Sequence, residues 1–203
     1  TQRSTLFPYT TLFRSHLAFH DPLTGLPNRR LLTRDLTRAI GRARRHGHGL
    51  ALMFIDLDHF KWVNDSHGHA VGDRVLAEVA ARLQRTVRAG DALARLGGDE
   101  FMLVLEDMAS RHDAAGMARK AIAAIAQPIE VDGRSVMVSA SIGIAQFPDA
   151  GQDAAALMHA ADLAMYRAKG YGRHTFAFSL SGAVAPGNNS PGADVTQTGV
   201  PLA

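Results

Sequence analysis

Residues 50–55, Leu-Ala-Leu-Met-Phe-Ile, form an unbroken apolar run that stops at Asp56. A strand with one wet face alternates apolar and polar side chains. A strand apolar at every position must be covered on both faces. The run therefore predicts a central strand with packed layers above and below it. The flanking patterns supply those layers. Leu31, Leu32, Leu36, Ile40 and Ala43 share one helical face after Asn28, a candidate N-cap. Val71, Val75, Leu76, Val79, Leu83 and Val87 mark a second helix, and Met117, Ala118, Ala121, Ile122 and Ile125 a third. Leu157, Met158, Ala161, Ala164, Met165 and Ala168 mark the last.

Short strands are expected at Ala92–Leu96 and Phe101–Leu105, turning through Gly97-Gly98. A further hairpin turns at Asp132-Gly133, with its second strand running from Val136 to Phe147, and Phe176 and Phe178 close with a last strand. The fold class is α/β (an α+β sandwich), with one mixed central sheet flanked by helices.

The ends read differently. Thr5 to Ser15, TLFPYTTLFRS, resembles a translated sequencing-adapter oligonucleotide, so residues 1–15 are expected to be a non-native leader. The domain is expected over residues 16–180. Residues 181–203 are rich in Gly, Pro, Ser, Asn and Thr and are expected to be a disordered tail.

The chain has no cysteine, which excludes disulfides and thiolate metal sites. Its net charge is +3, with no basic stripe of the kind that tracks nucleic acid. No apolar run is long enough to span a membrane. His46-x-His48 and His67-x-His69 have no third ligand at zinc-like spacing and read as polar loop residues. Trp62 reads as a packing residue.

Two clusters carry candidate chemistry. In Asp56-Leu57-Asp58-His59-Phe60-Lys61 an apolar strand ends in carboxylates and a lysine. Carboxylates at a strand end suit a hard cation, and the turn after them offers N–H groups to phosphate. In Gly97-Gly98-Asp99-Glu100-Phe101, glycines at a hairpin tip let a ligand approach the backbone. Adjacent acids repel unless a cation neutralises them. No P-loop motif is present.

These segments resemble the GGDEF family over roughly residues 20–177. The signature is complete in Arg95-Leu96-Gly97-Gly98-Asp99-Glu100-Phe101. It stands with Asp21-Pro22-Leu23-Thr24-Gly25-Leu26-Pro27-Asn28-Arg29, Asn64-Asp65, Gly68-His69-Ala70-Val71-Gly72-Asp73 and Tyr166-Arg167-Ala168-Lys169 with Gly172-Arg173, all in family order. After Arg173 many members continue with Asn and a basic residue; here His174-Thr175 follow.

The resemblance implies a fold similar to nucleotide cyclases and polymerase palms. It implies a diguanylate cyclase that joins two GTP into cyclic di-GMP across a homodimer, using two Mg²⁺ or Mn²⁺ per half-site. It makes Asp56, Asp99 and the Leu57 carbonyl metal ligands, with Asp99 and Glu100 in the catalytic centre. It assigns Asn64 and Asp73 to guanine, and Lys61, Lys169 and Arg173 to phosphates. A carboxylate at 73 suits guanine, because N1–H and N2–H₂ form a donor pair that adenine lacks. Lys169 and Arg173 share a face only if the last helix continues, and Gly170 and Gly172 make a helix end between them an equal alternative.

Arg88-Ala89-Gly90-Asp91 lies at the spacing of the family's inhibitory product site. A cytoplasmic location without membrane contact is inherited from the same resemblance. The rival reading is a non-catalytic receptor for cyclic di-GMP or GTP. The intact acids at 99 and 100 favour the enzyme.

Overall fold

The structure is a computed structural model that describes residues 18–180. The expected leader over 1–15 and tail over 181–203 lie outside the described residues.

Helix α1 spans Arg29–His46. Asn28 caps it by accepting from the Leu31 N–H at 3.1 Å, as its position predicts. The helix stops at Gly47, and Arg44, Arg45 and His46 place positive charge in its last turn, where the helix dipole favours it. Strand β1 (Gly49–Asp58) follows, then α2 (Phe60–His67) and α3 (His69–Thr86). Strands β2 (Ala92–Gly97) and β3 (Glu100–Met108) form the glycine-tipped hairpin. Next come α4 (Arg111–Ile125), β4 (Ile129–Val131), β5 (Arg134–Val136), β6 (Ser139–Phe147), α5 (Ala154–Gly170) and β7 (Phe176–Phe178).

The main sheet has the order β2-β3-β1-β6-β7. β1 is antiparallel to β3 and β6, and β7 joins β6 in parallel. The sheet is therefore mixed, with the apolar run at its centre. Alternate residues of β1 enter different cores. Ala51, Met53, Ile55 and Leu57 pack with α3, α4 and the β4–β5 hairpin. Leu50, Leu52 and Phe54 pack with α1 and α5. This is the layered arrangement that a doubly covered strand requires.

Two expectations need correction. The long strand from Val136 to Phe147 is two strands. β4 and β5 turn through Asp132 and Gly133, both at positive φ, and form their own two-stranded sheet. The chain then crosses through Met137 and Val138 before β6 joins the main sheet. Continuous β-propensity does not reveal such a change of partner. Strand β1 also runs further than its apolar run. It includes Asp56, Leu57 and Asp58, because β6 continues to pair with it as far as Asp58↔Ser139.

Helix α5 lies very close to β6. A Cβ on Gly143 would stand 1.9 Å from the Ala161 carbonyl oxygen and 2.2 Å from the Met165 nitrogen. Backbone therefore meets backbone there. That contact sets the height of α5 over the sheet, and so the position of Lys169 at its C-terminal end. No helix among the described residues is long and apolar enough to cross a membrane.

Candidate active site

Asp56 pairs with Glu100 in the β1–β3 register. Paired residues on antiparallel strands send their side chains to the same face. This face is the one shared with Phe54, toward α1 and α5. The Leu57 N–H donates to the Asp99 carbonyl at 3.2 Å, which ties the hairpin tip to the central strand. The two acidic clusters, 43 residues apart by their numbers (99 minus 56), thus meet at one end of the sheet.

Lys169, from the last turn of α5, places Nζ 2.8 Å from Asp56 Oδ1. Arg29, from the first turn of α1, stands 3.7 Å from Glu100 Oε2. Asp56 is only 8% exposed. Burial pushes its carboxyl above the ordinary range. The Lys169 hydrogen bond opposes that rise, and the charges of Asp99 and Asp58 add to it. Glu100 is raised too, first by burial, against the pull of Arg29, with Asp56, Asp99 and Asp162 repelling its charge. A site whose carboxylates resist ionising is one where a bound cation gains energy.

The available donors are hard oxygens, which fit Mg²⁺ or a similar cation. No three His, Cys, Asp or Glu side chains converge to hold a metal among the described residues. A cation here would draw the rest of its shell from backbone carbonyl, phosphate oxygens and water.

Asp58 stands apart from this group. It accepts from Ser141 Oγ at 2.6 Å, Ser139 Oγ at 2.7 Å and the His174 N–H at 3.0 Å. Neutral donors occupy it. The family resemblance gives Asp56, and not Asp58, to a cation; in the structure Asp58 ties β1 to β6 and to the turn after α5.

The nucleotide-side residues lie on the helices that follow β1. Lys61 is exposed in the first turn of α2, Asn64 is half-buried further along it, and Asp73 is exposed on α3. Helix α5 ends at Gly170, and Arg173 follows in a turn with φ of 64°. Lys169 and Arg173 therefore do not share a helical face. Trp62 is 61% exposed, with its ring edge to face against His67, so it is a surface residue rather than a packing one.

The hairpin tip is held from behind by residues to which the sequence reading gave no role. Arg95 is buried and donates from Nη1 to both oxygens of Asp21, at 2.9 and 3.0 Å. Its Nε and Nη2 donate to the Gly98 carbonyl, at 3.1 and 2.7 Å. Asp21 also accepts from the N–H and hydroxyl of Thr24. Burial would raise the Asp21 carboxyl, but the bonds from Thr24 and Arg95 prevail and hold it below the ordinary range. The Asp21–Asn28 segment thus clamps the loop that carries Asp99. Both residues lay inside quoted motifs, but a contact between positions so far apart in the chain leaves no local signal.

Arg88 and Asp91 sit at the other end of the β2–β3 hairpin. Arg88 Nε is 3.4 Å from Asp91 Oδ1, and its Nη2 donates to the Glu106 carbonyl at 2.7 Å. They line a cavity of about 640 Å³ together with His112 and Lys120 of α4. His48 Nδ1 lies 2.6 Å from Asp107 Oδ1, and the His67 and Trp62 rings meet edge to face.

Comparison with known proteins places these features. The sequence profile of the family described as "Diguanylate cyclase, GGDEF domain" matches residues 18–175. The chain is 50% identical over 162 residues to the bifunctional diguanylate cyclase/cyclic di-GMP phosphodiesterase MucR of Pseudomonas aeruginosa, covering 80% of this chain and 24% of MucR. It is 47% identical over 156 residues to diguanylate cyclase TpbB of the same species, covering 76% of this chain and 36% of TpbB. A solved structure comprising only the GGDEF domain of TpbB superposes with a TM-score of 0.78 at 45% identity, covering 79% of this chain and 94% of that one. The GGDEF domain of DgcB from Caulobacter crescentus, solved in complex with c-di-GMP, gives a TM-score of 0.74 at 28% identity, covering 79% and 95%. The chain thus spans about a quarter of MucR and just over a third of TpbB.

Proposed function

The chain belongs to the GGDEF family of diguanylate cyclase domains, and from that premise we propose that it condenses two GTP into cyclic di-GMP and releases two pyrophosphates. The observation that carries the reading is the meeting of Asp56 with Asp99 and Glu100 at one sheet end, with Lys169 against Asp56. A degenerate site in a binding-only relative would have no need of such crowded acids.

Each half-reaction joins a ribose 3′-oxygen of one GTP to the α-phosphorus of the other. The bond from that phosphorus to pyrophosphate breaks, and the 3′-hydroxyl loses its proton. Asp56, Asp99 and the Leu57 carbonyl would hold the divalent cations, two per half-site. When bound, these ions polarise the α-phosphate and neutralise the departing pyrophosphate. Asp99 stands close to the attacking hydroxyl in this reading and helps remove its proton. Glu100 completes the acidic centre.

Lys61, Lys169 and Arg173 neutralise the terminal phosphates. Asn64 and Asp73 read guanine, Asp73 through N1–H and N2–H₂ and Asn64 through the edge beside them. The two nucleotides come from two subunits, so the working unit is a homodimer. Arg88 and Asp91 form a product site, supported by the cavity they share with Lys120.

The test is product formation from GTP and Mg²⁺ over a series of protein concentrations, with Asp99→Ala alongside. Cyclic di-GMP is expected from the parent, rising faster than linearly with enzyme, and absent from the variant. Added product should inhibit the parent, and Arg88→Ala should relieve that inhibition. If the parent forms no product even when a fused coiled coil enforces dimerisation, the cyclase reading falls. The receptor reading then takes its place.

A further inference from the structure

Gly72 is buried in the first turn of α3, beside Asp73. Glycine is a poor helix residue, and its φ here is an ordinary one that any residue adopts. Its presence therefore has a steric cause. A Cβ at this position would lie 1.9 Å from Asn64 Oδ1, 3.1 Å from Asn64 Cγ and 3.3 Å from Phe60 Cζ. The Asn64 carboxamide lies across the α3 backbone in the space that a side chain at 72 would fill. Asn64 is fixed at its own backbone as well, where its carbonyl accepts from the Gly68 N–H at 2.8 Å.

We propose that Gly72 is a positioning residue of the guanine site: its missing side chain lets the Asn64 carboxamide rest against α3 next to Asp73, so that the two present their polar groups to one base. The inference rests on the reading of Asn64 and Asp73 given above. Gly143 sharpens it by contrast. There a Cβ would meet the backbone of Ala161 and Met165, which cannot yield without moving a helix. At Gly72 the obstruction is the end of a rotatable side chain. Gly72→Ala therefore leaves the fold in place and turns the carboxamide away from its seat.

The experiment compares the parent, Asn64→Ala, Gly72→Ala and the double variant, all as the full chain. Melting temperature is measured for each. Equilibrium binding is measured with α,β-methylene-GTP, in which the bond to the leaving group cannot break, and with its adenine counterpart. Gly72→Ala is expected to melt at or above the parent temperature. It should lose about fivefold to tenfold in affinity for the guanine analogue, the loss of one hydrogen bond. Weak binding of the adenine analogue should not change, so base preference narrows by the same factor. A role in stability alone would not move that ratio. Asn64→Ala should lose as much, and the double variant no more than either single one.

Should Gly72→Ala melt well below the parent, recovery in the double variant supports the contact, and no recovery overturns it. Parent-like base preference in Gly72→Ala, with Asn64→Ala impaired, overturns the positioning role alone. Parent-like binding by Asn64→Ala overturns the guanine assignment itself, and the proposal with it.

Discussion

Asp56 and Asp58 lie two residues apart on β1, both buried and on the same face of the sheet, yet their surroundings have opposite character. The Asp58 carboxylate accepts from two serine hydroxyls and a backbone N–H, all neutral. Asp56 faces Asp99 and Glu100 across the sheet end, with one lysine against it. The first carboxylate is saturated where it stands. The second is crowded by like charge, and its counter-ion sits on a flexible stem. A carboxylate satisfied by fixed neutral donors contributes structure; one left to mobile or exchangeable cations is available for chemistry.

The sharpest way to break this comparison is to truncate each acid. Asp56→Ala should abolish cyclic di-GMP formation by at least about a thousandfold, roughly 4 kcal/mol of transition-state stabilisation. It should not lower the stability of the domain by a comparable amount, because the charge it removes is one that its neighbours repel. Nucleotide chromatography and urea unfolding give the two readouts. Loss of the fold with Asp56→Ala would show that its role is structural after all.

Asp58→Ala is the converse case. It removes the acceptor of the buried Ser141 hydroxyl and of the partly buried Ser139 hydroxyl and His174 N–H, at a cost of about 2–4 kcal/mol. Urea denaturation should show that loss as a lower midpoint with an unchanged slope. Asp58→Asn keeps an acceptor and should lose about half as much. An Asp58→Ala domain of parental stability without activity would move Asp58 into the chemical group and dissolve the distinction.

Much of this architecture was legible in the sequence. The apolar run set the central strand, the helical faces set the two layers, and Asn28 marked the start of α1. The signature at Arg95–Phe101 and the acid at Asp56 located the sheet end that carries the candidate site. What stayed hidden depends on distant partners. Nothing near Asp58 indicates that Ser139, Ser141 and His174 will saturate it. Nothing near Asp21 announces Arg95. The change of sheet between Val136 and Ser139 is a matter of pairing, and the apolar stretch Val136-Met137-Val138 runs through it without a break. Trp62 misled because a large aromatic is more often buried than exposed, whereas α2 turns that position outward.

The opening clamp offers a middle-sized test. Asp21→Ala removes the half-buried partner of the buried Arg95 and should destabilise the domain by about 2–3 kcal/mol. Because Arg95 holds the Gly98 carbonyl, cyclase activity per folded molecule should fall as well. A variant that loses stability but keeps full turnover would show that the hairpin tip holds its shape without the clamp.

The smallest effect follows from proton linkage, and it separates the same two kinds of carboxylate. The carboxyls of Asp56 and Glu100 are raised by folding. A raised group contributes stability that is complete below its unfolded value and lost as pH rises through its folded value. At neutral pH these two acids therefore subtract from stability, and lowering the pH through their raised folded values should restore part of it. Asp21 has the opposite sign, since its folded value is depressed. Its contribution is present at neutral pH and vanishes only when the pH falls below the ordinary carboxylate range, through that depressed value. The unfolding free energy should thus rise gently as pH falls through the raised folded values of Asp56 and Glu100, and then drop in stronger acid. Glu100→Gln should flatten the rise by a few tenths of a kcal/mol, a small figure because the group is partly solvated. Mg²⁺ should stabilise the parent more at neutral pH than in acid, since protons and the cation compete for the same oxygens. A profile with no rise before the acid drop, or a cation effect independent of pH, would mean that the fold already compensates the burial of these two acids.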